Sequence, residues 1–170
     1  MDKLLEKISS YNLLNNLIPG GVFCFLLRSI CSIDILTESI VEALFMYYFV
    51  GMVLSRVGSI VVEPITKKVK LISHVDYSDY IVASEADSQI DILLETNNLY
   101  RTIVSCGLLT ILVKTYTLAE RYLQVLSCVT PYIISGLLVV LFLLSFRKQT
   151  NYIIKRVEHV VRGEQNEDVE

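Results

Sequence analysis

The sequence predicts an all-α polytopic membrane protein with four transmembrane helices and a short cytoplasmic helical stem between spans two and three. Three observations lead there. Hydrophobic residues make up 53% of the chain and charged residues only 19%, where soluble domains carry about a quarter charged. The apolar residues gather into four stretches near the ~20 residues that a helix needs to cross a bilayer. The lysines and arginines fall almost entirely on one side of those stretches. A chain of 170 residues holds one such domain, over 1–162, with a polar tail at 163–170.

In chain order, Leu4, Leu5, Ile8 and Tyr11 recur at helical spacing and predict a short helix at the membrane surface. Asn15-Asn16 and Pro19-Gly20-Gly21 then predict a break, with Pro19 in the first turn of the following span, where its missing N–H costs nothing. Asp2 and Glu6 stand beside Lys3 and Lys7, and no small-residue cleavage site follows. Span one, about 13–33, is therefore expected to be retained. Span two covers 40–62, with Ala43 to Leu54 uncharged. Span three covers 102–119, broken only by Lys114 near its far end. Span four covers 126–146 around the block Leu137 to Leu144, with Pro131 in its first turns, where proline is tolerated.

Between spans two and three, residues 63–101 predict the stem. Val61 to Ile72 continues the second helix with a bend at Pro64, and His74 to Asp79 reads as a turn. Asp79 to Ala83 allows one or two helical turns. Asp87 is placed to cap a helix whose Ile90, Leu93, Leu94 and Leu99 lead into span three. Beyond span four, Ile153, Ile154, Val157 and Val161 predict a cytoplasmic helix over 147–162. The polar run from Gly163 to Glu170 is expected to be disordered.

Orientation follows from the basic residues. One side receives Lys3, Lys7, Lys67, Lys68, Lys70, Arg101, Arg147, Lys148, Lys155, Arg156 and Arg162; the other receives Lys114 and Arg121. Arg28 and Arg56 lie within spans. Both termini are thus expected in the cytoplasm, with two short outer loops.

Chemistry has little to work with. The four cysteines (Cys24, Cys31, Cys106, Cys128) are scattered singly; three lie inside apolar segments and predict buried thiols, while Cys31, near the outer edge, could pair but has no evident partner. His74 and His159 are the two histidines, and neither accompanies a nucleophile. No GxSxG, HExxH or phosphate-cradling glycine loop is present. An enzyme, a metal site and a cofactor are therefore not expected. The stem carries Asp76, Tyr77, Asp79, Tyr80, Glu85 and Asp87. Its carboxylates match no EF-hand spacing; they read as a solvated acidic face, or as a docking surface for a basic protein partner.

Arg56, Glu63, Asn97, Asn98, Arg101 and Arg147 share one depth near the inner face. A charge in hydrocarbon is usually paired or snorkels to headgroups. A network joining Arg56 or Arg101 to Glu63 would fix how spans two and three pack. Near the outer end, Arg28 either snorkels, pairs with Asp34 or Glu38, or lines the interior of an oligomer. Gly51, Ser55 and Ser135-Gly136 offer small faces for close helix packing.

Four stretches taken together, SSYNLLNNLIPGGVF, SRVGSIVVEPITKK, NNLYRT and SFRKQTNYIIKRV, carry a family resemblance. The chain resembles small four-helix membrane proteins of bacterial anti-phage defence loci, most nearly the KwaA family, the membrane subunits of the Kiwa system. That resemblance implies a homo-oligomer, a tetramer being favoured, with a KwaB-like, DNA-acting effector attached on the cytoplasmic side. It implies no direct nucleic-acid binding by the membrane subunit itself. The function expected is a non-enzymatic sensor or scaffold that binds a cytoplasmic effector protein. The alternative is a pore-forming homo-oligomer that disrupts the bilayer, with Arg28 and Asn15-Asn16 as its polar features.

Overall fold

A computed structural model describes residues 2–35, 38–73, 75, 77–123 and 125–167, of which 2–12, 78, 125 and 162–167 are described in backbone alone. The described residues are mostly helical, joined by short turns, and include no strand. Helix α1 (Asp2–Leu26) runs on into a π-helical segment at Leu27–Cys31. Helix α2 (Ile40–Val57) runs into a second π-helical segment at Gly58–Val62 and then α3 (Glu63–Lys68). Helices α4 (Tyr77–Ala86), α5 (Gln89–Glu120) and α6 (Val125–Glu167) complete the chain. Four helical stretches, Leu13–Cys31, Ile40–Lys68, Gln89–Glu120 and Leu126–Val161, are long and apolar enough to cross a membrane. The protein is an all-α polytopic membrane protein.

The break expected at Asn15-Asn16 and Pro19-Gly20-Gly21 does not occur, because α1 passes through Pro19 without interruption. The glycines serve packing instead. A Cβ on Gly20 would collide with the Tyr47 carbonyl, and one on Gly51 would collide with the Asn16 carbonyl. Helices α1 and α2 therefore cross backbone against backbone, as small residues permit in membranes. Pro19 is fully buried beside that crossing. Proline is accepted in a spanning helix when neighbouring helices restore the lost contacts. The side chains of Leu4, Leu5, Ile8 and Tyr11 lie outside the described ones.

Pro64 likewise leaves the second span helical, and it explains the π-helical turn before it. Proline has no N–H to give and its ring presses on the preceding turn. The Glu63 N–H bonds to the Gly58 carbonyl, five residues back, so the Ser59 carbonyl finds no partner at either Glu63 or Pro64. Lys148 supplies one from α6, its Nζ 2.9 Å from that carbonyl and 2.8 Å from Ser59 Oγ. The first π-helical segment ends at Ser32, in the left-handed region at φ 59°, a common way to stop a helix. Its Ile30 carbonyl accepts from Lys114 Nζ at 2.6 Å.

The fourth span and the helix expected over 147–162 run on as the single helix α6. It is one helix of 43 residues, about 65 Å long at 1.5 Å per residue, roughly twice the hydrocarbon thickness. Its helicity continues through Gly163 to Glu167, into the run expected to be disordered; the last three residues lie outside the described ones. In the stem, α4 is longer than the one or two turns expected. Ser88 precedes α5 without a side-chain cap, while Asp87 Oδ1 takes the Gln89 N–H at 2.9 Å.

The core is built by three of the four spans. Phe23, Leu27 and Cys31 from α1 and its π-helical end pack with Leu54 of α2 and Cys106 of α5. The buried hydroxyls of Thr102, Ser105 and Thr110 each donate to the carbonyl four residues back, which satisfies them without water. Helix α6 sits apart, with only 6% of its most apolar stretch buried within the chain. Cys24 and Cys106 are buried as expected, Cys31 is buried although it was placed near the outer edge, and Cys128 on α6 is exposed by the same arrangement. Ser135 and Gly136 face open space too, whereas Gly51 is at a true helix crossing.

Candidate functional site

The largest gathering of charge lies where α2, α3, α5 and α6 meet at one end of the bundle. Glu63 opens α3, and its side chain is only 16% exposed. Its Oε2 accepts from Arg101 Nη1 at 2.8 Å and from Lys148 Nζ at 3.0 Å; its Oε1 accepts from Lys67 Nζ at 2.8 Å. One carboxylate thus joins α3, α5 and α6. Ion pairs of this kind hold firmly because removing one member leaves the others desolvated and unpaired. Gly58 lets α5 come close: a Cβ there would sit 2.8 Å from Ser105 Oγ and 3.1 Å from Arg101 Cγ. Arg101 Nε, pressed into this contact, is buried without a hydrogen-bond partner.

Of the residues expected in this network, Glu63 and Arg101 are joined directly. Arg56 is half-buried and its charge bears on Arg101, but it makes no hydrogen bond or ion pair to the described residues. Asn98 contributes its backbone carbonyl to Thr102 Oγ1 at 2.7 Å, and Asn97 is exposed. Arg147 is exposed as well, while its neighbour Lys148 points inward to Glu63 and Ser59. Two members of the network, Lys67 and Lys148, were not anticipated. Lys67 follows Glu63 by four residues, the spacing of a helical ion pair, so a signal for it was present. Lys148 differs from Arg147 only by the 100° that separates successive helical residues, which periodicity alone does not resolve.

Beyond the charge cluster, α4 lies against the distal part of α6. Tyr77 packs on Tyr152, with ring centroids 4.9 Å apart, and on Tyr80 at 6.1 Å. Lys148 Nζ is 5.8 Å from the centre of the Tyr152 ring, within cation–π range. Tyr80 donates to Asp91 Oδ1 on α5 at 2.8 Å. Burial, followed by the hydrogen bond to that carboxylate, pushes the Tyr80 phenol up to about 12. Arg156 Nη2 meets Glu85 Oε1 at 2.8 Å. Three of the expected stem residues, Tyr77, Tyr80 and Glu85, are therefore engaged in holding α4 to α5 and α6. Asp79 and Asp87 remain exposed, and Asp76 lies outside the described residues. Tyr152 and Arg156 complete the stem contact, although nothing in their spacing marked them.

At the opposite end, Arg28 Nε is 3.4 Å from Asp34 Oδ2, with side chains 66% and 50% exposed. Arg28 thus takes one of the partners proposed for it. An exposed pair of this kind contributes about 0–1 kcal/mol.

No protein-family model, curated protein or solved structure matches the chain.

Proposed function

We propose that the protein is a non-enzymatic membrane subunit of a bacterial anti-phage defence complex, one that recruits a cytoplasmic effector to the inner membrane. The observation that carries this reading is the docked stem. Helix α4, the first turns of α5 and the distal half of α6 form one charged and tyrosine-rich surface beyond the apolar spans. Such a surface suits a soluble protein partner. The basic residues around it favour a cytoplasmic position, with both termini inside. The resemblance to the Kiwa membrane subunits names the class of partner, a KwaB-like effector acting on DNA, and a homo-oligomeric, tetrameric assembly. A sensing role needs an element that differs between resting and infected membranes, and the α4 contact with α6 is the element best placed for it.

Mild-detergent affinity purification from the encoding cells tests this reading. A stoichiometric soluble protein is expected with the wild-type chain, and Asp76→Lys/Asp79→Lys/Glu85→Lys should reduce its recovery. Because Glu85 also pairs with Arg156, the swap Glu85→Arg/Arg156→Glu serves as the control for simple undocking of α4. A homo-oligomer with no partner, together with ion leakage from vesicles, would transfer the case to a membrane-disrupting pore. The mostly exposed surface of α6 is the observation in favour of that second reading. Arg28, paired with Asp34, gives it less support than a free arginine would.

A further inference from the structure

We infer that the outward face of α6 forms a parallel helix–helix seam with the same face of a second copy of this chain. The inference gives a contact to the homo-oligomer of the reading above, rests on that part of it alone, and needs no effector. Leu143, Phe146, Thr150, Ile153, Val157 and Val160 follow one another at alternating spacings of three and four residues, the a and d positions of a heptad repeat. All but Thr150 are between 46% and 72% exposed. Thr150 is half-buried, and its hydroxyl donates to the Phe146 carbonyl at 3.0 Å, so it brings no unsatisfied donor to the seam. The run rises about 26 Å along the helix axis at 1.5 Å per residue.

Neither lipid nor the chain's own helices cover this face. The apolar block of span four ends at Phe146, and Ile153, Val157 and Val160 lie about 10–21 Å beyond it along the axis. The headgroup layer is only about 5–8 Å deep, so the bilayer does not reach them, and Ile154 and Val161 beside them are exposed as well. Helix α6 docks on its own chain through a different face. Ser145 is buried, Lys148 holds Ser59 and Glu63, and Tyr152 packs on Tyr77. At 3.6 residues per turn these three lie more than about a third of a turn from the seam. A continuous apolar stripe left in water marks an interaction site.

The charges around the stripe suit a copy of the same chain. Every copy inserts with one topology, so their α6 helices run parallel and each seam residue meets its own counterpart across a rotation axis. The flanking g and e positions beyond the hydrocarbon are Gln149, Ile154, Arg156 and Val161. In parallel pairing Gln149 meets Ile154 and Arg156 meets Val161, so no like charges stand face to face. Arg156 is already paired with Glu85 of its own chain at 2.8 Å. Lys148, Lys155 and Glu158 fall at f and b positions, away from the contact.

The test places single cysteines along α6 of the full chain in a Cys128→Ser background and oxidises the membranes that hold it with copper phenanthroline. Ile153→Cys, Val157→Cys and Val160→Cys should give disulfide-linked dimers at least about fivefold more than Asn151→Cys, Lys155→Cys and Glu158→Cys, which lie beyond disulfide reach across such a seam. Val157→Lys should convert the purified oligomer to monomer by light scattering in mild detergent, while Lys155→Glu should leave it intact. Val157 is exposed within one chain, so Val157→Lys keeps the fold, which its helical circular dichroism checks. Cross-linking without the three–four periodicity, a wild-type chain that is monomeric, or cross-links from the seam to a different protein overturns the second copy. An effector recovered with a chain whose seam does not cross-link removes the seam and leaves the effector reading standing. A periodic cross-linking pattern with no effector recovered supports the seam and removes the effector.

Discussion

Alanine at Gly51 or Gly20 should destabilise the protein through the crossing where the α1 and α2 backbones touch. At Gly51 the added methyl would meet the carbonyl carbon and oxygen of Asn16; at Gly20 it would meet those of Tyr47. No side chain can rotate aside, so α1 and α2 must part by roughly an ångström or more to restore ordinary contact. Overpacking of this kind costs about 1–3 kcal/mol, and gaps opened along the rest of the crossing forfeit dispersion energy as well. Against this, alanine gains about 0.8–1 kcal/mol of helix propensity over glycine. The net loss is about 2 kcal/mol, equivalent to a fall of roughly 4–8 °C in melting temperature.

Gly107 and Gly136 provide the internal comparison, because a Cβ at either meets nothing within 4 Å. Alanine there should leave stability unchanged or raise it by up to about 1 kcal/mol. The chain carries its own reporter. Cys24, Cys31 and Cys106 are buried and Cys128 is exposed, so a fluorogenic maleimide added to a Cys128→Ser background reads unfolding directly. If Gly51→Ala and Gly20→Ala melt with Gly107→Ala, the backbone crossing is not where α1 and α2 are held.

Glu63→Gln should cost about 2–4 kcal/mol, because it strands Lys67, Arg101 and Lys148 together; thiol-dye melting reads the loss, and a change under 1 kcal/mol would sink the network. Arg28→Gln should move stability by less than about 1 kcal/mol, since its pair with Asp34 is well exposed; a larger loss in the same melt would contradict that exposure. The Tyr80 phenol, raised to about 12 from an ordinary 10, is held neutral by its fold. Its contribution is complete below about pH 10 and is lost as pH rises through about 12. Ultraviolet titration should show one late-ionising tyrosine that Tyr80→Phe removes; an unchanged late step would place the hydrogen bond to Asp91 elsewhere.

Helix content and the four spans were legible in the chain because lipid imposes length and composition directly. Helix boundaries were less so. Pro19 read as a break and Pro64 as a bend because local propensity is set by water-exposed helices, whereas both residues here lie within helices that neighbours support. The junction of Arg101 with Glu63 was foreseeable from shared depth, since two opposite charges at one level of the bilayer edge seldom stay apart. The inward turn of Lys148 rather than Arg147 was not, because it depends on the rotation of α6 against α2. The pairing of Tyr77 with Tyr152 joins residues 75 apart in the chain, and no local pattern encodes a contact of that range.

The lysine bonded to the Ser59 carbonyl has a consequence for the order in which the protein is made. When α1 and α2 first enter the membrane, residue 148 has yet to be synthesised, and the carbonyl that Pro64 leaves without a donor has none from the chain. At that stage the second span carries an unfilled acceptor at the bilayer edge, open to water or a headgroup. Only when the last helix arrives does its ammonium take that position, 89 residues further along the sequence. Completion of the second helix is thus deferred to the end of translation, and an amber truncation after the third span would yield a hairpin and a helix with one backbone bond still to be made.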